Sequence, residues 1–170
     1  MHPGGVDLQV PRRWPESSFR TVAEWFEANT GGSVFVIGSE DEMSLCRYVA
    51  DTGRGRIISV AGDMPVRETA GFLKHADLFL SNDTGTMHMA GAVHVPGIFA
   101  VFGPTDPSLL IPKDVPVHAF QATLPCVPCA GSVIDGKTRS CIRDVEGECL
   151  KKISPEMVIN EMARYVKTHY

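Results

Sequence analysis

The sequence predicts an α/β fold, a Rossmann-like parallel sheet with helices on both faces. Short apolar runs alternate with stretches of helical periodicity, the pattern of a sheet assembled from strand–helix units. Those runs are apolar almost without interruption, as parallel strands buried on both faces are. Two of them, near Leu80 and Phe102, end in small polar turns, and in open sheets of this class ligands bind at the carboxyl ends of the strands.

Residues 2–15, HPGGVDLQVPRRWP, read as a loop interrupted by prolines. Phe19, Val22, Ala23 and Phe26 then recur at i, i+3, i+4 and i+7, an amphipathic helix that Gly31-Gly32 ends. Residues 34–37 form a buried strand, and the turn from Gly38 to Glu42 opens a helix over residues 42–50, with carboxylates where the dipole favours them. A strand at 57–60 and a helix over 65–74, with Val66, Thr69, Ala70 and Leu73 on one face, continue the alternation. Leu78, Phe79 and Leu80 make the next strand, followed by a helix rich in Ala, Gly and Met and a buried strand at 97–102. No regular period survives past Phe120, where residues 121–150 carry a cysteine-rich segment with a turn at Asp135-Gly136. The last helix, 154–169, begins with Ser154 as cap and Pro155 in the first turn, and puts Val158, Met162, Tyr165 and Val166 on one face.

At 170 residues and 44% hydrophobic content, the chain reads as one domain, 1–170, with no repeat or linker. A net charge of −4 without a sustained basic run argues against nucleic acid as a partner. The longest apolar runs are strand-sized, and the first residues do not make a signal peptide, so a cytoplasmic protein is expected, able to work peripherally at the inner membrane.

The stretch from Ser81 to Pro107 organises the rest. A turn feeding a helix offers backbone N–H groups without intrahelical partners, together with the positive end of the dipole, and so attracts phosphate. Gly85 lets a ligand approach the backbone, Asp83 or Thr84 can cap the helix, and His88 lies one turn beyond Thr84. The same residues also serve as ordinary turn and cap chemistry.

Of the cysteines, Cys46 fits a helical core position. Cys126 and Cys129 form a C-x2-C pair, with Cys141 and Cys149 further on, a set that could hold structural Zn or Fe or remain free thiols.

Six landmarks now stand in order: His2-Pro3-Gly4, Arg12-Arg13-Trp14-Pro15, Gly38 to Glu42, Asn82-Asp83-Thr84-Gly85 with His88, Phe102 to Pro107, and the cysteine-bearing tail. In these the chain resembles the C-terminal half of the glycosyltransferase family 9 heptosyltransferases, which build the inner core of lipopolysaccharide from ADP-heptose. The resemblance implies the donor-binding domain of a two-domain GT-B enzyme that transfers the sugar with inversion and needs no cofactor for transfer. It implies that Asp83, Thr84, Gly85 and His88 meet the diphosphate and sugar, Glu42 the ribose, and Met64 the adenine, with Thr105 and Asp106 lining the same cleft. Arg12 stands where the family commonly has Lys, keeping the charge but not the geometry of a compact ammonium. Arg12 and His88 are the supporting catalytic candidates, while the general base and the lipid-linked or glycan acceptor belong to an N-terminal domain that the chain is expected to lack.

In the resemblance, His-Pro-Gly follows the domain's first strand, which lies near the middle of the sheet. Without that strand a gap opens, to be filled by residues 6–10 or by another chain, and the isolated chain is expected to be a homo-oligomer or poorly stable. Two other readings explain less. One is a non-catalytic binding or assembly module with a cysteine-held metal; the other is a nucleotide-sugar epimerase-like domain, which accounts for the alternation but not for the Trp-Pro and Gly-Pro-Thr-Asp-Pro landmarks.

Overall fold

The computed structural model describes residues 1–5, 12–129, 141 and 143–170. Its elements run α1 (Glu16–Thr30), β1 (Val34–Val36), a 3-10 turn (Glu40–Glu42) leading into α2 (Met43–Ala50), β2 (Ile57–Ser59), α3 (Val66–Leu73), β3 (Leu78–Asn82), α4 (Gly85–Ala92), β4 (Gly97–Phe102), α5 (Pro107–Leu110), β5 (Val117–Gln121), α6 (Glu148–Lys151) and α7 (Pro155–His169). All strand pairs are parallel: β1 with β2, and β3 with β4 with β5. The fold is therefore the α/β arrangement that the alternation predicts.

Met1 and His2 join the two sheets. The Met1 nitrogen donates to Phe35 O at 2.5 Å, and Met1 O accepts from the Ile37 amide at 2.9 Å. On the other side the His2 amide donates to Leu80 O at 2.9 Å, and His2 bridges Ser81 in parallel. These two residues thus stand between β1 and β3. The alternative filler, residues 6–10, lies outside the described residues, as does the Asp135-Gly136 turn.

Helices cover both faces. One core gathers Trp14, Phe19, Val22, Cys46, Phe99, Leu150 and Met162 beneath α1, α2 and α7; the other gathers Leu73, Phe79, Met87, Ile98 and Phe102 beneath α3 and α4. β4 is buried at every position, which explains its unbroken apolar sequence. Cys46 is fully buried, and burial, with the Glu42 charge nearby, pushes its thiol up to about 12, so it is an inert core residue. Helix α1 ends as its glycines predict, with Gly31 in the left-handed region at φ 66°. Ser154 caps α7 by accepting from the Met157 amide.

The structure corrects two expectations. In α3 only Leu73 is buried and Val66 is 72% exposed, so the predicted Val66, Thr69, Ala70 and Leu73 face is not a core face along its length. Regular structure also continues beyond Pro107, in α5, β5 and α6, where no element was predicted. β5 is a partly exposed edge strand of sequence VHAFQ, and such a strand carries no continuous apolar run.

Candidate functional site

The carboxyl ends of the strands gather four loops into one network, and Asn82 at the end of β3 is its fixed point. Asn82 is fully buried. Its Oδ1 accepts from the Trp14 amide at 2.9 Å, and its Nδ2 donates to Pro3 O and Gly4 O, both at 2.9 Å. One amide side chain therefore clamps the His-Pro-Gly segment and the Arg-Arg-Trp-Pro segment onto the strand that carries the polar turn. Trp14 completes the clamp from below: its ring is 1% exposed, its Nε1 donates to Ile153 O at 2.8 Å, and it meets Phe19 edge-on at 5.2 Å. Trp14 is thus a hydrophobic plug ahead of α1.

His2 extends the network across the sheet. Its Nε2 lies 3.1 Å from Glu42 Oε2, and its Nδ1 lies 2.8 Å from Thr86 Oγ1, which in turn is 2.8 Å from Thr84 Oγ1. With Nε2–H donating to the carboxylate, Nδ1 accepts from the Thr86 hydroxyl, a tautomer assigned from the hydrogen-bond network. Glu42 also accepts from the Gly5 amide at Oε1 (2.7 Å) and from the Ser39 amide at Oε2 (2.9 Å). The His2 hydrogen bond first, then the Ser39 and Gly5 amides, hold its carboxyl at about 2 despite desolvation. A side chain at Gly4 would overlap Glu42 Oε1, so a glycine is required there by close approach rather than by its φ. Arg13 donates from Nε and Nη2 to Gly5 O, at 2.7 and 2.5 Å, and holds the same segment from outside.

The two polar turns are also tied to each other. Thr105 Oγ1 donates to Asp83 Oδ2 at 2.7 Å, and the Asp83 amide donates to Val101 O at 3.0 Å. Asp106 caps α5, accepting from the Ser108 amide and hydroxyl. At the start of α4, Thr84 is the N-cap residue in extended conformation, and Gly85 is exposed with nothing within 4 Å of where a Cβ would stand. The helix N-terminus therefore faces open space, as an anion site requires. His88 is exposed one turn further along α4, and Arg12 is half-buried beside Arg13. The Gly38 turn and the loop after β2 meet through the Gly62 amide and Gly38 O at 3.0 Å, and Met64, in that loop, packs on the core beneath α3 and α4.

The structure thus assembles Glu42, Asp83, Thr84, Gly85 and Thr105 at one edge, with Arg12, Met64, His88 and Asp106 on the loops and helix starts around them. Three participants, His2, Asn82 and Thr86, were not among the predicted site residues. His2-Pro3-Gly4 and Asn82 stand out in the sequence as landmarks, but no spacing reveals a contact between His2 and Thr86.

The cysteine segment adjoins this edge, since the Cys129 amide donates to Pro104 O at 2.8 Å. Burial raises the Cys129 and Cys149 thiols, and the charges of the other cysteines of the set, Cys126 and Cys141 among them, raise them further, so the four thiols lie within electrostatic reach of one another. Among the described residues, however, no three His, Cys, Asp or Glu side chains converge closely enough to hold a metal ion. The predicted ligand set of Cys126, Cys129, Cys141 and Cys149 is therefore a neighbourhood of thiols and not an assembled centre in this structure. No helix among the described residues is long and apolar enough to cross a membrane.

Comparison with known proteins gives this edge a context. The family model described as glycosyltransferase family 9 (heptosyltransferase) matches residues 9–135. Lipooligosaccharide heptosyltransferase 2 of Campylobacter jejuni subsp. jejuni serotype O:2 is 25% identical over 170 residues, covering 98% of this chain and 50% of that protein. The chain spans about half the length of that curated relative. Among solved structures, E. coli ADP-heptose LPS heptosyltransferase II superposes with a TM-score of 0.74 at 18% identity, over 96% of this chain and 44% of that one. E. coli heptosyltransferase WaaC with ADP gives a TM-score of 0.69 at 18% identity, over 98% and 43%. The iron-containing dodecameric glycosyltransferase TibC of enterotoxigenic E. coli gives 0.67 at 17% identity, over 99% and 47%. At these identities the structural likenesses establish the fold.

Proposed function

Since the chain belongs to glycosyltransferase family 9, the heptosyltransferase family, we propose that it is the half of such an enzyme that holds the nucleotide sugar, ADP-heptose, for transfer in lipopolysaccharide core assembly. The observation that carries this reading is the open N-terminus of α4 at Thr84-Gly85, set at the carboxyl end of β3 and ringed by loops that His2, Asn82 and Glu42 fix in place.

The chemistry divides by donor and acceptor type. The free amides at the start of α4 and the Arg12 guanidinium take the diphosphate, since all are donors and Arg12 adds charge. Asp83 and Glu42 are acceptors and take sugar and ribose hydroxyls, Glu42 through the lone pairs that its protein donors leave on Oε1. Met64 lies against the base, and Thr105 and Asp106 line the sugar side. In transfer, an acceptor hydroxyl attacks the anomeric carbon from the face opposite the diphosphate, the carbon–oxygen bond to ADP breaks, and configuration inverts. The developing charge on the leaving phosphate is stabilised by the α4 amides, Arg12 and His88. The base that takes the hydroxyl proton and the surface that holds a lipid-linked or glycan acceptor come from a companion domain, while these residues hold the donor. The work is cytoplasmic, at the inner face of the membrane that carries the acceptor.

Calorimetry tests the binding step. Wild type is expected to bind ADP, and both Asp83→Ala and Gly85→Val to weaken it about tenfold or more, as loss of hydrogen bonds to a charged ligand does. The valine has room at position 85, so Gly85→Val is expected to stay folded, within about 1 kcal/mol of wild type by urea denaturation. A variant that binds as well as wild type removes the anion site from the account.

The assembly reading starts from the cysteine set Cys126, Cys129, Cys141 and Cys149, which does not converge as a metal centre among the described residues. It predicts about one Zn or Fe per chain by elemental analysis, lost together with any homo-oligomer in Cys129→Ser. Metal-free protein of unchanged mass in solution decides against it.

A further inference from the structure

Thr84 holds the N-cap position of α4, yet its side chain makes no bond to the amides of the first turn. A threonine there ordinarily accepts from one of them. Its hydroxyl lies instead 2.8 Å from Thr86 Oγ1 and 3.4 Å from both His2 Nδ1 and Asn82 O. The first-turn amides are left to a ligand, and the N-cap hydroxyl is wired to an imidazole. We infer that His2 is a proton-linked positioning residue for an anion at the start of α4: when Nδ1 takes up a proton, the Thr86–Thr84 hydroxyl chain reverses and Thr84 offers the anion an O–H donor. That anion is the diphosphate of the donor proposed above, and the role of His2 rests on that reading.

The direction of each hydrogen bond follows from what each group can donate. In the neutral imidazole Nε2–H donates to Glu42 and Nδ1 can only accept, so the Thr86 hydroxyl, at 2.8 Å, donates to it. Thr86 Oγ1 then accepts from the Thr84 hydroxyl, and Thr84 shows an incoming phosphate only lone pairs. With one proton from solvent on Nδ1, both ring nitrogens donate. Nδ1–H bonds Thr86 Oγ1, the Thr86 hydroxyl donates on to Thr84 Oγ1, and the Thr84 hydrogen is released toward the helix start. No bond between heavy atoms forms or breaks, and the gain is one hydrogen bond to a charged acceptor together with a positive charge near it.

The surroundings suit a charged imidazole. His2 is 6% exposed, and a buried cation needs a counter-charge. Glu42 supplies it at 3.1 Å, and its carboxyl, held at about 2, stays ionised throughout the neutral range. Cys46, behind Glu42 on α2, titrates at about 12; Arg13 donates to Gly5 O; Asp83, ahead of α4, accepts from Thr105. The Met1 nitrogen turns to Phe35 O, and Glu40 and Asp41 of the 3-10 turn are exposed. His88, exposed one turn along α4, is the other imidazole near this edge, and the test variants leave it in place.

The test is calorimetry on the whole chain with ADP-ribose, whose two phosphates are diesters of fixed charge, whereas the terminal phosphate of ADP itself titrates at about pH 6. Wild type is expected to bind about fivefold more tightly at about pH 6 than at about pH 8, and to take up about half a proton at about pH 7, read from buffers of different ionisation enthalpy. Thr86→Val removes the relaying hydroxyl and leaves His2 on Glu42, while His2→Gln removes the ionisable group. In both, affinity should change by less than about twofold between the two pH values. Thr86→Ser keeps the hydroxyl and should keep the dependence, a distinction that a merely structural role would not produce. Wild type binding equally at both pH values, or Thr86→Val keeping the full dependence, overturns the role of His2 and leaves the donor site standing. No binding at either pH overturns both.

Discussion

Trp14→Ala is expected to lower the free energy of unfolding by about 3–5 kcal/mol, the range for removing a fully buried tryptophan. Three links fail together. The indole is 1% exposed and fills the space between α1 and the start of α7; its edge contact with Phe19 is lost; and Ile153 O loses its donor. Against a total of about 5–15 kcal/mol for a domain, that leaves a protein with little margin, and Tm should fall by about 10 °C or more. Trp14→Phe keeps most of the apolar volume and leaves Ile153 O unpaired, so a cost nearer 1–3 kcal/mol is expected. Urea denaturation followed by far-ultraviolet circular dichroism gives both values. A Trp14→Ala protein within about 1 kcal/mol of wild type would mean that the Trp-Pro segment does not anchor the fold.

Glu42→Gln should be the most damaging isosteric change at the edge proposed for the nucleotide. The folded carboxyl titrates at about 2 against an ordinary value of 4.5, and that difference corresponds to about 3 kcal/mol. Because the folded value is depressed, the stabilisation is complete above pH 4.5 and is lost as pH falls through about 2. The glutamine side chain cannot bear the charge that His2, Ser39 and Gly5 stabilise, so at pH 7 the variant should be about 2–3 kcal/mol less stable. By pH 3 the gap should narrow by about 2 kcal/mol. Equal losses at both pH values would show that the carboxylate charge is not what binds these loops. On the proposed function the same change should weaken ADP binding, because Glu42 holds the Gly4-Gly5 segment in place.

The α/β alternation was legible because its elements have one-dimensional signatures. β4 is apolar at every position, and α1 shows its buried stripe and its terminal glycine. α3 misled because Val66 fits the helical stripe but stands at the exposed start of the helix, and only Leu73 reaches the core. β5 was missed because an edge strand alternates, and His118 and Gln121 break any apolar run. At the carboxyl end of β3, Asp83, Thr84 and Gly85 announce a turn and helix start through their own backbone preferences. The roles of His2, Asn82 and Thr86 were not legible, because each depends on partners brought together only by the sheet, as His2 and Thr86 are from 84 residues apart. Glu42 shows both cases: its place at the edge could be read from the Gly38 turn, but its three protein donors could not.

The central claim is that ADP binds where Thr84-Gly85 opens α4. The most direct measurement is a titration of the isotope-labelled chain with ADP, followed through backbone amide resonances. Saturable shifts are expected at Thr84, Gly85, Thr86 and Met87, with smaller ones at Gly5, Glu42 and Thr105, while Phe35 in β1 stays unchanged. An absence of shifts at millimolar ADP, or shifts confined to residues away from the start of α4, would contradict the account.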